Sequence, residues 1–563
     1  MLKAVAKKHI VENVLRPHHD SKLGHRKFSV LVLDKSAMEV VNSCLGLNEV
    51  FEEGITLVED LTKNREPMAS MDAIYIVAPV AESVDMLISD FTRKSKFAPE
   101  NLYKTANIYF LEACSDELFD RIAGSPLSKY AKALMEINLS FKPVESQVFT
   151  VSSQCKGDMT KVADGIASLC TTLNINPTLR FHSDFAQSAE ICYRIDQKLK
   201  ESADPKAPAS TDAELIVMDR SIDLVSPLLH ETTLQAMACD LTDFRGGIYR
   251  YKGDNGETKE IPLDEKDPTW MELRHQHLAV IVKKVQKMTK DLKAFELAST
   301  ATNSVRDVSS AVRNLPEHLK KKAKSEAYIN LAEDCQSKYF KSLEKIILLE
   351  QDMAVEHTPD HSKVSDTQAV NRLSTFLMPA IPTETRLRLI LIFMLTIGKD
   401  KDEQYINRLF HHTDIPDEEF QIVRKMLNWR NRTQASAFQR RRQPPSEERF
   451  NSSRWDPKLK NIIQEIHEKR LDEREFKFLG QKTGPELRTA MSARYGGGLS
   501  GRPREKRKII LFIVGGITYS EIRTIYEMSE ATNTTIILGS DCILTPSDFL
   551  QSLRDRNPME QHQ

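Results

Sequence analysis

Short apolar runs alternate with amphipathic stretches through the first part of the chain. Phe28–Asp34 (FSVLVLD), Ala73–Pro79 (AIYIVAP) and Asn107–Ala113 (NIYFLEA) are continuous apolar runs, the pattern of strands buried on both faces. Helical periodicity over Ala37–Leu45 and Ser83–Phe91 separates them. This alternation predicts an α/β fold with a parallel, doubly wound sheet over residues 1–140. A second α/β section starts near Glu145, with a helix over Val162–Leu173, a polar break over Glu201–Ala213 and a strand over Glu214–Asp219.

The strand pattern then stops, and returns only at Lys508–Val514 and Thr535–Ser540. Two strands do not make a stable sheet alone, so the C-terminal piece is expected to complete the second sheet. The expected division is residues 1–140 as domain one, 141–250 and 481–563 as the two segments of domain two, and 251–480 as a mainly helical insertion, domain three. Inside the insertion, Leu278, Ile281, Val285, Met288 and Leu292 keep 3-4 spacing, as do Val305, Val308, Val312 and Leu315. The pattern resumes after Pro316 through Tyr328, Leu331, Cys335, Tyr339, Leu343 and Ile346. Proline removes a backbone donor and crowds the preceding turn. Pro316 therefore either separates two helices or bends one hairpin arm near residues 300–350.

The 563 residues carry Lys+Arg 79 against Asp+Glu 80, a net charge of −1. No overall field favours nucleic acid or an anionic membrane, so electrostatic recognition must be local. Phe438–Arg449 (FQRRRQPPSEER) and Arg494–Lys508 (RYGGGLSGRPREKRK) read as exposed basic linkers, or alternatively as phosphate or lipid patches. The eight cysteines form no C-x-x-C pair, which argues against a zinc ribbon and fits a reducing compartment. No apolar h-region opens the sequence, no run of about 18 apolar residues crosses it and no lipidation motif closes it. Membrane work is expected to go through a partner.

Two loops are candidates for chemistry. Ile509–Ile522 (IILFIVGGITYSEI) runs from a strand into two glycines and a helix, as a nucleotide loop does. It lacks the lysine of a Walker loop and the third glycine of a dinucleotide fingerprint. Thr518 and Glu521 instead form [ST]-x-x-E, a capping box that explains the helix start without a ligand. In Met218–His230, Asp219 and Asp223 follow a buried strand and could hold a cation or share acid–base roles; alternatively Asp219 accepts loop amides and Asp223 starts the next turn. The histidine pairs His18–His19, His275–His277 and His411–His412 lack metal-ligand spacing, and no G-x-S-x-G elbow occurs. No catalytic residue, metal or cofactor is expected.

Four longer blocks carry a family resemblance: Val30–Leu45 with Glu53–Met68, Leu215–Met237 (LIVMDRSIDLVSPLLHETTLQAM), Leu263–Ile281 (LDEKDPTWMELRHQHLAVI) and Ile509–Arg523. They closely resemble the Sec-one and Munc-eighteen-like (SM) family of syntaxin-binding proteins, over essentially the whole chain. Val144–Thr150 (VESQVFT) and Ser453–Trp455 fit its exocytic branch. The resemblance implies an arch-shaped cytoplasmic protein, peripheral at the plasma membrane, that is not an enzyme. It implies two doubly wound parallel-sheet domains, with the helical domain inserted into the second. As partners it implies a syntaxin-like SNARE, in a heterodimer with this chain as monomer, then the assembled SNARE complex and a vesicle SNARE. The rival reading is a nucleotide- or phosphate-dependent α/β enzyme; a third is a helical tethering scaffold.

Carried over residue by residue, a central syntaxin-binding surface falls on Asp34, Glu39, Gly46, Glu59, Lys63 and Glu66. Glu39 and Gly46 depart from the family, whose neuronal animal members carry basic residues there; salt bridges to an acidic partner helix would be lost. A pocket for the partner's N-terminal peptide falls on Cys114, Phe119, Ala131, Leu134 and Glu136, with Phe119 and Leu134 as an apolar socket. The hairpin arm offers Pro316, Leu319, Tyr328 and Ile329 to a vesicle SNARE, while Leu331 and Cys335 are expected in the core.

Overall fold

The computed structural model describes residues 1–18, 28–92, 101–151, 158–202, 210–253, 255–300, 305–401, 403–411, 413–433, 450–480 and 507–555. The linker readings at 438–449 and 494–506 lie outside the described residues, as do Cys155, His19, His412 and the side chain of Pro316. The chain forms two compact units: Met1–Asp219 with Arg470–Gly516 and Ile525–Cys542, and Arg220–Lys469 with Ile517–Thr524 and Ile543–Gln563.

The first unit holds two sheets. One contains β1 (Ser29–Leu33), β2 (Ile55–Asp60), β3 (Met68–Val77), β4 (Tyr103–Phe110) and β5 (Ala131–Glu136) in the order β2-β1-β3-β4-β5. Every neighbouring pair is parallel. All five residues of β1 are buried, as its apolar run requires. The edge strands β2 and β5, only partly buried, carry weaker apolar signals and escape a reading by periodicity.

The other sheet is built from β6 (Phe141–Glu145), β7 (Val148–Val151), β8 (Thr178–His182), β9 (Ala213–Asp219), β13 (Phe476–Phe478), β14 (Lys508–Val514) and β16 (Thr535–Ser540). Its seven strands run β13-β8-β9-β14-β16-β7-β6. Strands far apart in sequence lie side by side: β14 pairs with β9, and β16 with β7, both parallel. Only the two edges, β13 on β8 and β6 on β7, are antiparallel. Gly539 of β16 is small because the Phe149 ring lies where its Cβ would be.

Strands also occur in the second unit, where none was expected. β10 (Phe244–Arg245), β11 (Ile248–Lys252) and β12 (Thr258–Pro262) form an antiparallel three-stranded sheet. Gly246 and Gly247, at φ +59° and +78°, make the two-residue turn between β10 and β11. The signal was present: Tyr249 and Tyr251 alternate with polar neighbours, and both are buried. Tyr249, Trp270, Leu278, Ile281, Leu331 and Cys335 share one core.

The periodic helices of this unit form as Leu278–Thr300 and Val305–Lys338. The second continues through Pro316, so neither a break nor separate helices occurs there. A π-turn, Tyr339–Leu343, precedes helix Glu344–Val355. That helix buries Glu350, Gln351 and Asp352 in succession, each bonded. Glu350 takes Arg388 and His230, Gln351 takes the Arg454 and Trp455 amides, and Asp352 takes Arg372 and Arg454.

Candidate binding surfaces

The glycine loop has its amides occupied. Gly515 and Gly516 follow β14 with φ +99° and +105°, conformations that a side chain would strain. Their N–H groups donate to Asp541 Oδ1 at 2.7 and 3.0 Å, and Gly516 also reaches Ser540 Oγ. A phosphate would need those donors. In the second unit the capping box forms as its spacing predicts: Glu521 N–H donates to Thr518 Oγ1, and Glu521 Oε2 accepts from Thr518 N–H at 2.9 Å. The same carboxylate holds Arg220, a partner that no local pattern reveals.

Asp223 is likewise internal. It accepts from the amides of Val225, Ser226 and Lys458 and from Ser226 Oγ. Burial pushes its carboxyl up, but the Arg220 and Lys458 charges and the Ser226 bonds hold it below the usual range. Asp219 is buried at the end of β9. His277 accepts from Ala279 N–H on Nδ1 and meets Ser452 Oγ through Nε2, against the Phe450 ring. Burial lowers His275 to about 3 and His277 to about 4, so both are neutral near pH 7. These loops organise the fold, and the enzyme reading has no support in them.

Of the central surface, Asp34 is the clearest correction. It is buried and caps helix Lys35–Cys44 through Ala37 N–H at 2.8 Å. Its other oxygen accepts from Ala78 N–H at 2.7 Å and Ser83 Oγ at 2.8 Å. Asp34 and Ala78 follow β1 and β3, the neighbours between which the strand order reverses. Sheets of this order take ligands at that crevice; here Asp34 bridges it. Glu39, half-exposed, pairs with Lys142 at 3.3 Å. Gly46 is the N-cap of helix Leu47–Glu52, its N–H held by Glu49 at 2.7 Å. Glu59 accepts from the Tyr103 hydroxyl. Lys63, 77% exposed, and Glu66, exposed, remain open to a partner. The sequence reading passed over Leu47 and Phe51, both exposed and one helical turn apart beside Gly46.

The peptide-pocket residues stand on β5, an edge strand, and around helix Asp116–Ala123. Phe119 is 48% exposed, so the ordinary fate of an amphipathic helix residue, burial in the core, does not apply. Leu134 and Ala131 are half-buried and pack against the sheet core, and Met135 beside Leu134 is exposed. Cys114 N–H donates to Glu136 Oε1 at 2.8 Å, which joins the two stretches. Burial and the nearby Glu136 and Asp116 charges raise the Cys114 thiol.

On the arm, Leu319 is 56% exposed. Tyr328 is a second correction: it is 2% exposed and its hydroxyl donates to Asp267 at 3.0 Å. Ile329 packs against the same core as Leu331 and Cys335, both buried as expected. On a helix the residues i, i+3 and i+7 share a face; Tyr328, Leu331 and Cys335 follow that rule together.

An α/β scaffold whose candidate catalytic loops are internally satisfied, with exposed apolar and charged side chains elsewhere, belongs to a class defined by its surfaces. The model described as "Sec1 family" matches residues 29–552, and the chain belongs to the Sec1 family. It is similar to "Protein transport protein sec1" of Dictyostelium discoideum, 28% identical over 93% of this chain and 94% of that protein. It is 26% identical to the "SNARE-interacting protein KEULE" of Arabidopsis thaliana, over 94% and 91%. Among solved structures it resembles the Unc18–syntaxin 1 complex from Monosiga brevicollis, with TM-score 0.81, 23% identity and coverage of 98% and 99%. The SM protein Vps45 in complex with the Qa SNARE Tlg2 (1–310) aligns at TM-score 0.80 and 16% identity, over 98% of each chain.

Proposed function

We propose that this protein binds a syntaxin-like SNARE and regulates vesicle exocytosis, acting with no covalent step. The observation that carries the reading is full-length similarity to sec1 proteins of protein transport and to a SNARE-interacting protein. The proposed mechanism is selective stabilisation of partner conformations, which requires different affinities for two states of the partner. Lys63, Glu66 and Glu39 set the orientation of the partner's helical bundle, with Leu47 and Phe51 as apolar contacts beside them. The charges act on encounter and register more than on raw affinity. The N-terminal peptide of the partner enters against Phe119 and Leu134. Leu319 on the arm meets a vesicle SNARE during assembly, and the plasma membrane is the site of action.

Co-purification with a syntaxin cytosolic region, with and without its N-terminal peptide, tests this. Stoichiometric complex that weakens on peptide removal is expected. No complex with any plasma-membrane syntaxin of the same organism would overturn it.

A further inference from the structure

Helix Thr383–Leu395 begins at Pro382, with no side chain capping its first amides. Such an end presents N–H groups and the positive pole of the helix. Arg386, in the first turn, is 4% exposed. Its side chain turns back along the helix, and Nη2 donates to Thr383 Oγ1 at 3.0 Å. Its Nε and Nη1 are buried and meet no acceptor. Arg388 also has a buried Nε without an acceptor, but its guanidinium is neutralised by Glu350 at 2.9 Å. Glu384 lies two residues before Arg386, a spacing at which side chains do not face each other. No carboxylate of the described residues forms an ion pair with Arg386. The surface over this helix end is made by Met378, Pro379, Ala380 and Pro382, which are exposed, and by Thr383 to Thr385, which are partly so.

A buried cation with unmet donors is costly unless an anion completes it. The donors around it are a guanidinium, a threonine hydroxyl and helix-terminal amides, the set that cradles phosphate oxygens. We propose that the N-terminal end of helix Thr383–Leu395 is a binding site for a phosphate group, with Arg386 as its fixed cation. The source is a soluble phosphate ester or the headgroup of a phosphorylated lipid; the chemistry at Arg386 is the same.

Thermal unfolding of the full chain in inorganic phosphate, against chloride at equal ionic strength, is the test. The wild type should gain about 1–3 °C when phosphate exceeds its dissociation constant several-fold. Arg386→Met should lose that gain. In chloride Arg386→Met should be at least as stable as wild type, because it removes a buried unpartnered charge. Equal phosphate gains in both proteins would overturn the site. So would an Arg386→Met protein several degrees less stable in chloride, since an ordered internal water would then already satisfy the guanidinium. Inositol hexakisphosphate and flotation with phosphatidylcholine vesicles containing phosphatidylinositol bisphosphate separate the two sources. An Arg386-dependent response to the first alone assigns a soluble ester, and to the vesicles a headgroup. Responses independent of Arg386 in every arm remove the proposal.

Discussion

Glu521→Gln exchanges one carboxylate oxygen for an amide nitrogen at a fully buried ion pair. Arg220 Nη1 and Nη2 donate to the two Glu521 oxygens at 2.8 and 2.7 Å. Arg220 is 1% and Glu521 0% exposed. Glutamine keeps one acceptor, but both Glu521 oxygens accept from Arg220, so its NH2 must face an Arg220 N–H in either orientation. The guanidinium is left buried and charged. Breaking such a pair from one side costs about 3–5 kcal/mol, and loss of a cap about 1 kcal/mol. The surviving acceptor returns about 1 kcal/mol, so about 3–5 kcal/mol is expected. The loss falls at one helix start, so the assay is local. Native-state hydrogen exchange of the amides of helix Tyr519–Thr532 should speed up by at least a hundredfold, at about 1.4 kcal/mol per factor of ten. The double variant Arg220→Met, Glu521→Leu should recover part of the protection, because the Arg220–Glu521 pair is removed whole, while Asp223 keeps its Lys458 and Ser226 partners. Acceleration below tenfold would refute the reasoning. A double variant as open as the single one would show that lost packing, and not the stranded charge, is responsible.

Asp34→Ala should lower stability by about 2–4 kcal/mol, since a cap and two further buried donors lose one carboxylate; the melting temperature checks it, and unchanged stability with lost syntaxin binding would restore Asp34 to the surface. His275 and His277 are neutral in the fold, held to about 3 and about 4 against an ordinary value near 6.5. The unfolded chain therefore binds more protons below pH 6.5, and stability should fall by up to about 1.4 kcal/mol per pH unit for each histidine as pH drops towards 4; His275→Asn should halve that slope. Phe119→Asp should weaken N-terminal peptide binding about tenfold or more by calorimetry while leaving the melting temperature within a degree or so, because Phe119 is half exposed. Pro316→Ala restores a backbone donor within helix Val305–Lys338, where proline costs about 3 kcal/mol; SNARE assembly in a purified system should accelerate, and an unchanged rate would count against the arm as the template.

Local physics was legible along the chain. A strand buried on both faces must be apolar throughout, and β1, β9, β14 and β16 could be read for that reason. The box at Thr518 and Glu521 was legible because its partners are three residues apart. Less visible were β2, β5 and β13, whose edge positions leave one side open and dilute the apolar signal. The two exposed central residues, Lys63 and Glu66, came from family likeness and not from any periodicity.

The order of apolar and polar residues by itself determined where the fully buried strands and the long periodic helices lie, and that the C-terminal strands needed a sheet begun far earlier. Only the tertiary structure decided what each polar side chain does. Asp34 finds Ser83 49 residues away, and Arg220 finds Glu521 301 residues away. Tyr328 goes inward because Asp267 waits there to accept its hydroxyl. Hydrogen bonds act at about 3 Å and are blind to sequence distance. A charged residue therefore looks the same in the sequence whether it will face water, plug a crevice or, like Arg386, stay buried with donors unmet.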